Sequence, residues 1–199
     1  MDTLEIEVKF LLDDMPAVQD RIIQIGGISD GPVFETNIRF ENETHGLMKN
    51  RSILRLRKDR KTTLTFKSDA NEPDNQFKIN TEYEVVVDDF ALMKKILEAL
   101  GFHQEQIYEK NRETISLHHT ILCLDTMPFG SFLEIEGSKK NILDMVQRLG
   151  LVWEDRILLN YITIFEHLKK ECHLPFSDIT FKNFEQFPTD IRDYRFLLA

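Results

Sequence analysis

The chain alternates in hydropathy with a period of two along much of its length. In Leu4-Glu5-Ile6-Glu7-Val8-Lys9-Phe10, a strand puts Glu5, Glu7 and Lys9 on one face and the four apolar residues on the other. The pattern recurs with Arg55 and Arg57 against Leu54 and Leu56, and with Thr65 and Lys67 against Leu64 and Phe66. It recurs again with Glu82 and Glu84 against Tyr83 and Val85, and with Glu134 and Glu136 against Leu133 and Ile135. Lys110 and Arg112 share a face of the run 110–117, and Asp125 ends the run 120–125. A further strand is expected over 34–42. Short turns at 58–61, at His118-His119 and at Pro128-Phe129-Gly130 join neighbouring runs. The sum is about eight strands, largely antiparallel.

Helical periodicity fills the gaps. Three segments, 5–27, 82–101 and 134–150, share one plan: a Glu-x-Glu strand, a cap, an amphipathic helix and a glycine stop. Asp14 caps the first, with Pro16 in its first turn. Asp88 or Asp89 caps the second, whose core-facing stripe is expected to be Leu92, Ile96, Leu97 and Leu100. Ser138 caps the third, with Ile142, Leu143, Val146 and Leu149 as its stripe. Asn160 caps a fourth helix from Tyr161 to about Lys170. The polar stretch 69–80 is expected to be a flexible loop. Beyond it, 171–199 is too rich in aromatic residues for a disordered tag and is expected to pack on a main domain spanning 1–170.

Composition narrows the classes. The 199 residues are 42% hydrophobic and 30% charged, enough for a true core. A net charge of -9 excludes a general nucleic-acid duplex binder, though not a local basic pocket. The N-terminus lacks a signal-peptide pattern, and no apolar run reaches membrane-spanning length, so a cytoplasmic protein without a membrane partner is expected. Cys123 and Cys172 lack metal-ligand spacing and read as reduced thiols. The histidines, at 45, 103, 118, 119, 167 and 173, show no ligand spacing either, and Trp153 reads as packing. Oligomeric state is not legible.

The charged faces are harder to explain as wet surface. One charged strand face is ordinarily solvated. Six such faces, several with like charges at i and i+2, serve no folding purpose, and opposed like charges destabilise a sheet. The helices need an apolar sheet face to pack on. An α+β fold meets both demands: a closed eight-stranded antiparallel β-barrel with helices outside and a charged lumen. Clustered Arg and Lys suit a polyanion, above all phosphate. Clustered carboxylates suit Mg²⁺ or Mn²⁺. A phosphate chain bridged to divalent metal satisfies both sets, and without a Gly-x-x-x-x-Gly-Lys-Ser/Thr loop the site is not a P-loop.

In this order the motifs resemble the CYTH domain, or triphosphate tunnel metalloenzyme, family. They are Glu5-x-Glu7-x-Lys9, Leu54-Arg55-Leu56-Arg57, Thr65-Phe66-Lys67, Glu82-Tyr83-Glu84, Lys110-x-Arg112, Asp125 and Phe132-Leu133-Glu134-Ile135-Glu136-Gly137. The resemblance spans about residues 3–170. It implies an eight-stranded tunnel that binds a triphosphate-containing small molecule with Mg²⁺ or Mn²⁺. It implies metal binding by Glu5, Glu7, Glu134 and Glu136, with Asp125, Glu82 and Glu84 as further candidates. Phosphate binding falls to Lys9, Arg55, Arg57, Lys67, Lys110 and Arg112. Arg39, where many relatives carry a tyrosine, joins that set. Glu5, Glu7 and Lys9 are expected at the catalytic centre.

Three functions fit this reading. The first is metal-dependent hydrolysis of inorganic, nucleoside or thiamine triphosphate. The second is a class IV-type adenylyl cyclase, in which the ribose 3′-hydroxyl attacks the α-phosphorus and pyrophosphate leaves. The third is a non-catalytic polyphosphate or nucleotide sensor. No adenine pocket is marked in the sequence, which favours hydrolysis, and pure anion binding would not need paired glutamates.

Overall fold

Alternation dictates strands, and strands they are. The computed structural model describes residues 4–70 and 74–198; Asn71, Glu72 and Pro73, in the middle of the expected loop, lie outside the described residues. The strands are β1 (Leu4–Leu12), β2 (Ile28–Asn42), β3 (Ser52–Lys58), β4 (Thr62–Asp69), β5 (Lys78–Val87), β6 (Phe102–Leu117), β7 (Thr120–Met127) and β8 (Gly130–Gly137). They pair antiparallel in the order β1-β5-β4-β3-β2-β6-β7-β8, and β8 returns to β1 through Glu7↔Glu136 and Lys9↔Glu134. The result is an α+β fold with an eight-stranded antiparallel sheet closed into a ring. Closure leaves the ring no long open edge to pair with other chains.

The helices are α1 (Met15–Gln24), α2 (Gly46–Lys49), α3 (Phe90–Ala99), α4 (Lys139–Leu149), α5 (Tyr161–Cys172) and α6 (Phe181–Gln186). Asp14, Asp89, Ser138 and Asn160 each accept a backbone N–H at the start of α1, α3, α4 and α5. Such caps satisfy donors that the helix itself cannot. The hairpin from β6 to β7 turns on His118 and His119, both at positive φ, the conformation that a two-residue turn between twisted strands requires.

One apolar set lies outside the ring, under α1 and α4. Val8, Phe10, Ile115, Leu122, Leu133 and Ile135 meet Ile22 of α1 and Ile142, Met145 and Val146 of α4. A second set borders the interior: Phe132, on the same face of β8 as Glu134 and Glu136, and Phe129 meet Tyr161, Ile164, Phe165 and Leu168 of α5, together with Ile179, Phe184 and Ile191 from the C-terminal segment. That segment is tied to the sheet by backbone bonds: Glu109 N–H to the Ile179 carbonyl at 2.9 Å, and Ile191 N–H to that of Phe129 at 2.8 Å. Gly27 shows how close this packing is. A Cβ there would sit 2.7 Å from Ile22 Cγ2 and 2.8 Å from Ile115 Cγ2. Gly27→Ala is expected to cost about 1–3 kcal/mol, the usual penalty for overpacking, measured by denaturant unfolding.

The structure corrects three expectations. Leu92, Ile96 and Leu100 of α3 are exposed, and only Leu97 of the expected stripe is buried. The helix instead buries its other apolar face, Phe90, Met93 and Leu97 at i, i+3 and i+7, against the sheet. Next, the stretch 69–80 is not all loop. Phe77 is buried, its ring centroid 5.3 Å from that of Trp153, and β5 begins at Lys78. Finally, β2 and β6 run longer than expected. Pro32 sits at a register shift in the β2–β6 ladder, where a bulge accommodates proline.

Candidate active site

Successive residues of a strand face opposite ways, so with the apolar set outside, the charged set must face in. The register aligns it: Arg57 lies opposite Asn37, Lys110 opposite Glu35, Arg112 opposite Asp125 and Glu134 opposite Lys9. A cavity of about 270 Å³ runs through the interior. Lys9, Arg55, Arg57, Lys67, Lys78, Lys110 and Arg112 line it, and so do Glu5, Glu7, Glu82, Glu84, Glu134 and Glu136. Asn160, Tyr161 and Ile162, at the start of α5, form part of the same wall.

Most cations hold a carboxylate. Lys67 Nζ lies 2.7 Å from both Glu5 and Glu82, and Lys78 Nζ lies 2.5 Å from Glu7. Arg57 reaches Glu84 at 3.3 Å and Glu35 at 3.7 Å. Arg112 is the hub on the opposite wall: its Nε donates to Asp125 Oδ1 at 2.6 Å, and its Nη2 to Asp125 Oδ2 and Glu134 Oε2, each at 2.5 Å. Lys9 Nζ donates to the Leu159 carbonyl at 2.9 Å, pairs with Glu134 at 3.3 Å and lies 3.9 Å from the Tyr161 ring centroid. Charges this buried persist only because they are paired.

The carboxyls divide into two kinds. Burial pushes Glu5 and Glu35 up, but neighbouring cations outweigh it and hold each at about 2: Lys67 and Lys78 for Glu5, and Lys110 with three arginines for Glu35. Glu134 is likewise raised by burial, then held well below the usual range by Arg112, Lys9 and Lys110. Glu136 goes the other way. Burial pushes it up, Arg112 offsets that only partly, and Glu5, Glu7 and Glu134 add to the rise, to about 8. It therefore carries a proton at neutral pH. Burial also raises the Cys123 thiol, which donates to Glu136 Oε1 at 3.9 Å.

Glu5, Glu7 and Glu136 present carboxylate oxygens that all lie within 4.8 Å of one another. This is a donor set of hard oxygens with neither His nor Cys, the kind that suits a hard divalent cation. The negative charges of Glu5 and Glu7 that help to raise Glu136 would be offset by such a cation.

Twelve of the fourteen residues expected at the site line the cavity, namely all but Arg39 and Asp125. Asp125 is fully buried behind the wall, its oxygens taken by Lys110, Arg112 and the Tyr161 hydroxyl. Arg39 sits beside Arg55 in register but points to Glu105, 3.8 Å away. Lys78, Tyr108 and Tyr161 line the cavity and were not expected there; nor was Glu35, which pairs with Arg57 and Lys110. Lys78 continues the Glu82, Glu84 alternation backwards through Asn80, a pattern visible in the sequence once β5 is extended. Tyr161 arrives from a helix, which strand alternation does not reveal. Tyr161→Phe removes its 2.8 Å hydrogen bond to Asp125 and is expected to cost about 1.5–3 kcal/mol, read from the unfolding midpoint.

Comparisons with known proteins agree with this architecture. The sequence profile of the CYTH domain matches residues 3–147. A candidate adenylate cyclase from Vibrio parahaemolyticus superimposes with a TM-score of 0.74 at 17% identity, covering 83% of this chain and 99% of that one. A Pyrococcus horikoshii protein gives 0.66 at 27% identity, covering 79% and 96%. A candidate adenylyl cyclase from Hippeastrum, described as having a dominant triphosphatase activity, gives 0.53 at 20% identity, covering 74% and 88%. No curated protein sequence matches the chain.

Proposed function

Because the chain belongs to the CYTH domain family, we propose that it is a metal-dependent hydrolase of a triphosphate-bearing substrate. The observation that carries this reading is the single cavity in which seven Lys and Arg side chains face the Glu5, Glu7 and Glu136 cluster. Arg55, Arg57, Lys110 and Arg112 are the groups to hold phosphate oxygens, the arginines by bidentate contact. They come pre-oriented by Glu35, Glu84, Asp125 and Glu134, so little reorganisation is needed as charge builds up on the phosphates. Glu5, Glu7 and Glu136 would hold Mg²⁺ or Mn²⁺, with Glu134 adjacent; a bound cation supplies charge neutralisation and Lewis acidity at the phosphate oxygens. Lys67 and Lys78 pair with Glu5 and Glu7 and hold their carboxylates in place for it. Tyr161 and the start of α5 shield one side of the chain of phosphates from water.

Incubation with tripolyphosphate, ATP or thiamine triphosphate and Mg²⁺ or Mn²⁺ tests the reading by product. Orthophosphate release supports hydrolysis. Cyclic AMP with pyrophosphate would replace hydrolysis by cyclisation, and tight binding without turnover would leave a sensor.

A further inference from the structure

Two stretches of chain reach the site beside β1 from outside its regular ladder. β5 pairs with β1 only from Leu4↔Thr81 to Glu7↔Lys78, so the same edge of β1 is left free at Lys9. The connection from α4 to α5 fills it. Ile157 N–H donates to the Lys9 carbonyl at 2.7 Å, Lys9 N–H donates back at 3.3 Å, and the Leu159 carbonyl accepts from the Lys9 ammonium at 2.9 Å. On the other side of the gap, Phe77 is buried in the core under α1 and α4, and the next residue, Lys78, turns inward to Glu7.

Arg156 joins these two stretches. Its Nε donates to the Gln76 carbonyl at 3.0 Å, its Nη2 to that of Asn75 at 3.3 Å, and its Nη1 to that of Trp153 at 3.1 Å. The guanidinium carbon lies 4.8 Å from the centroid of the Trp153 ring, and that ring lies 5.3 Å from Phe77. Asp74 closes the junction: it accepts the N–H groups of Gln76 and Phe77 and pairs with Lys139. A planar fork serves carbonyls on two segments at once while stacking on an indole; a lysine ammonium keeps the charge without that geometry. Neither Arg156 nor Trp153 lines the cavity. Each stretch nonetheless leads to a cavity cation, one to Lys78 just past Phe77 and the other to Lys9 through Ile157 and Leu159.

We propose that Arg156 is a positioning residue of the site. It clasps residues 74–77 to residues 153–157, and the clasp sets where the ammonium groups of Lys78 and Lys9 stand when a triphosphate enters. The inference rests on the triphosphate reading of the cavity and adds to it a residue that touches no substrate.

The probe is the methylene-bridged analogue of tripolyphosphate, whose bridges resist hydrolysis. It is titrated calorimetrically with excess Mg²⁺ into the wild type, Arg156→Ala, Arg156→Lys, Lys78→Ala and the Arg156→Ala, Lys78→Ala double variant, each checked for folding by urea unfolding. Arg156→Ala is expected to weaken binding about tenfold, the lower end of what loss of a supporting outer residue costs. Arg156→Lys should lose nearly as much, although its charge is unchanged. In the Lys78→Ala background the Arg156→Ala loss should shrink to about threefold or less, since one of its two targets is gone. Trp153, the chain's single tryptophan, reports on the clasp in the wild type itself. Coupling is reciprocal, so saturating probe should reduce acrylamide quenching of its fluorescence about twofold or more, and Arg156→Lys should lose that protection. Full affinity in Arg156→Lys would show that only the charge matters and would overturn the proposal. So would an Arg156→Ala loss that is the same with and without Lys78, or wild-type quenching that the probe leaves unchanged. A wild type that does not bind the probe would instead bring down the triphosphate reading itself.

Discussion

Arg112→Ala is expected to destabilise the protein by about 3–5 kcal/mol, the usual result of breaking a buried ion pair from one side. Arg112 makes three short hydrogen bonds to two carboxylates, and Asp125 is wholly buried. Removing the guanidinium leaves Asp125 with Lys110 and Tyr161 alone, and Glu134 with Lys9. The control is Asp125→Asn in the same background. Cancelling one stranded charge should recover part of the loss, with a coupling of about 0.5–3 kcal/mol in the double-mutant cycle. Urea unfolding of the four proteins measures it. A single-variant loss below about 1 kcal/mol would show that the cluster is far wetter than its geometry implies. Activity should fall further than stability explains, since Arg112 also lines the cavity.

Glu136→Gln is expected to weaken divalent-cation binding by at least about 10–100-fold, since even outer-shell substitutions at metal sites cost that much. The pH dependence gives the sharper readout. Glu136 is protonated up to about pH 8, because burial and the neighbouring acids raise it. A cation must displace that proton, so wild-type affinity for Mg²⁺ or Mn²⁺ should climb as pH rises towards 8. In the glutamine variant that part of the climb should vanish. Stability without cation carries the same signature. A carboxyl raised in the folded state binds more protons there than in the unfolded chain between the ordinary value of 4.5 and about 8. Its contribution to stability therefore falls as pH rises through that window, and Glu136→Gln should remove the fall. Glu5 and Glu35, held at about 2, behave oppositely: their contribution is present above 4.5 and is lost as pH falls towards 2. A variant with the wild-type pH slope would detach Glu136 from the cation site.

Much of this site is legible in the sequence because strand geometry ties inside and outside to odd and even positions. Once Leu4, Ile6 and Val8 face helices, Glu5, Glu7 and Lys9 have only the interior left. What alternation cannot give is which interior residues meet. Asp125 and Arg39 have the right parity but the wrong depth, one sealed behind Arg112 and the other turned to Glu105. Lys78 was hidden because the polar run before it disguises where β5 starts. Tyr161 and Leu159 reach Lys9 from about 150 residues away, a contact that only the tertiary fold creates. On α3, two apolar faces competed, and periodicity alone does not say which one a sheet will cover.

The central claim is that the ring interior binds and cleaves a triphosphate with a divalent cation held by Glu5, Glu7 and Glu136. The most direct test is orthophosphate release from a triphosphate substrate, with Mg²⁺ or Mn²⁺ and again with excess chelator, in wild-type and Glu5→Gln, Glu136→Gln proteins. The account predicts turnover by the wild type that chelator abolishes and that the double variant lacks, while the fold remains intact by circular dichroism. Full cation-dependent turnover in the double variant would contradict it.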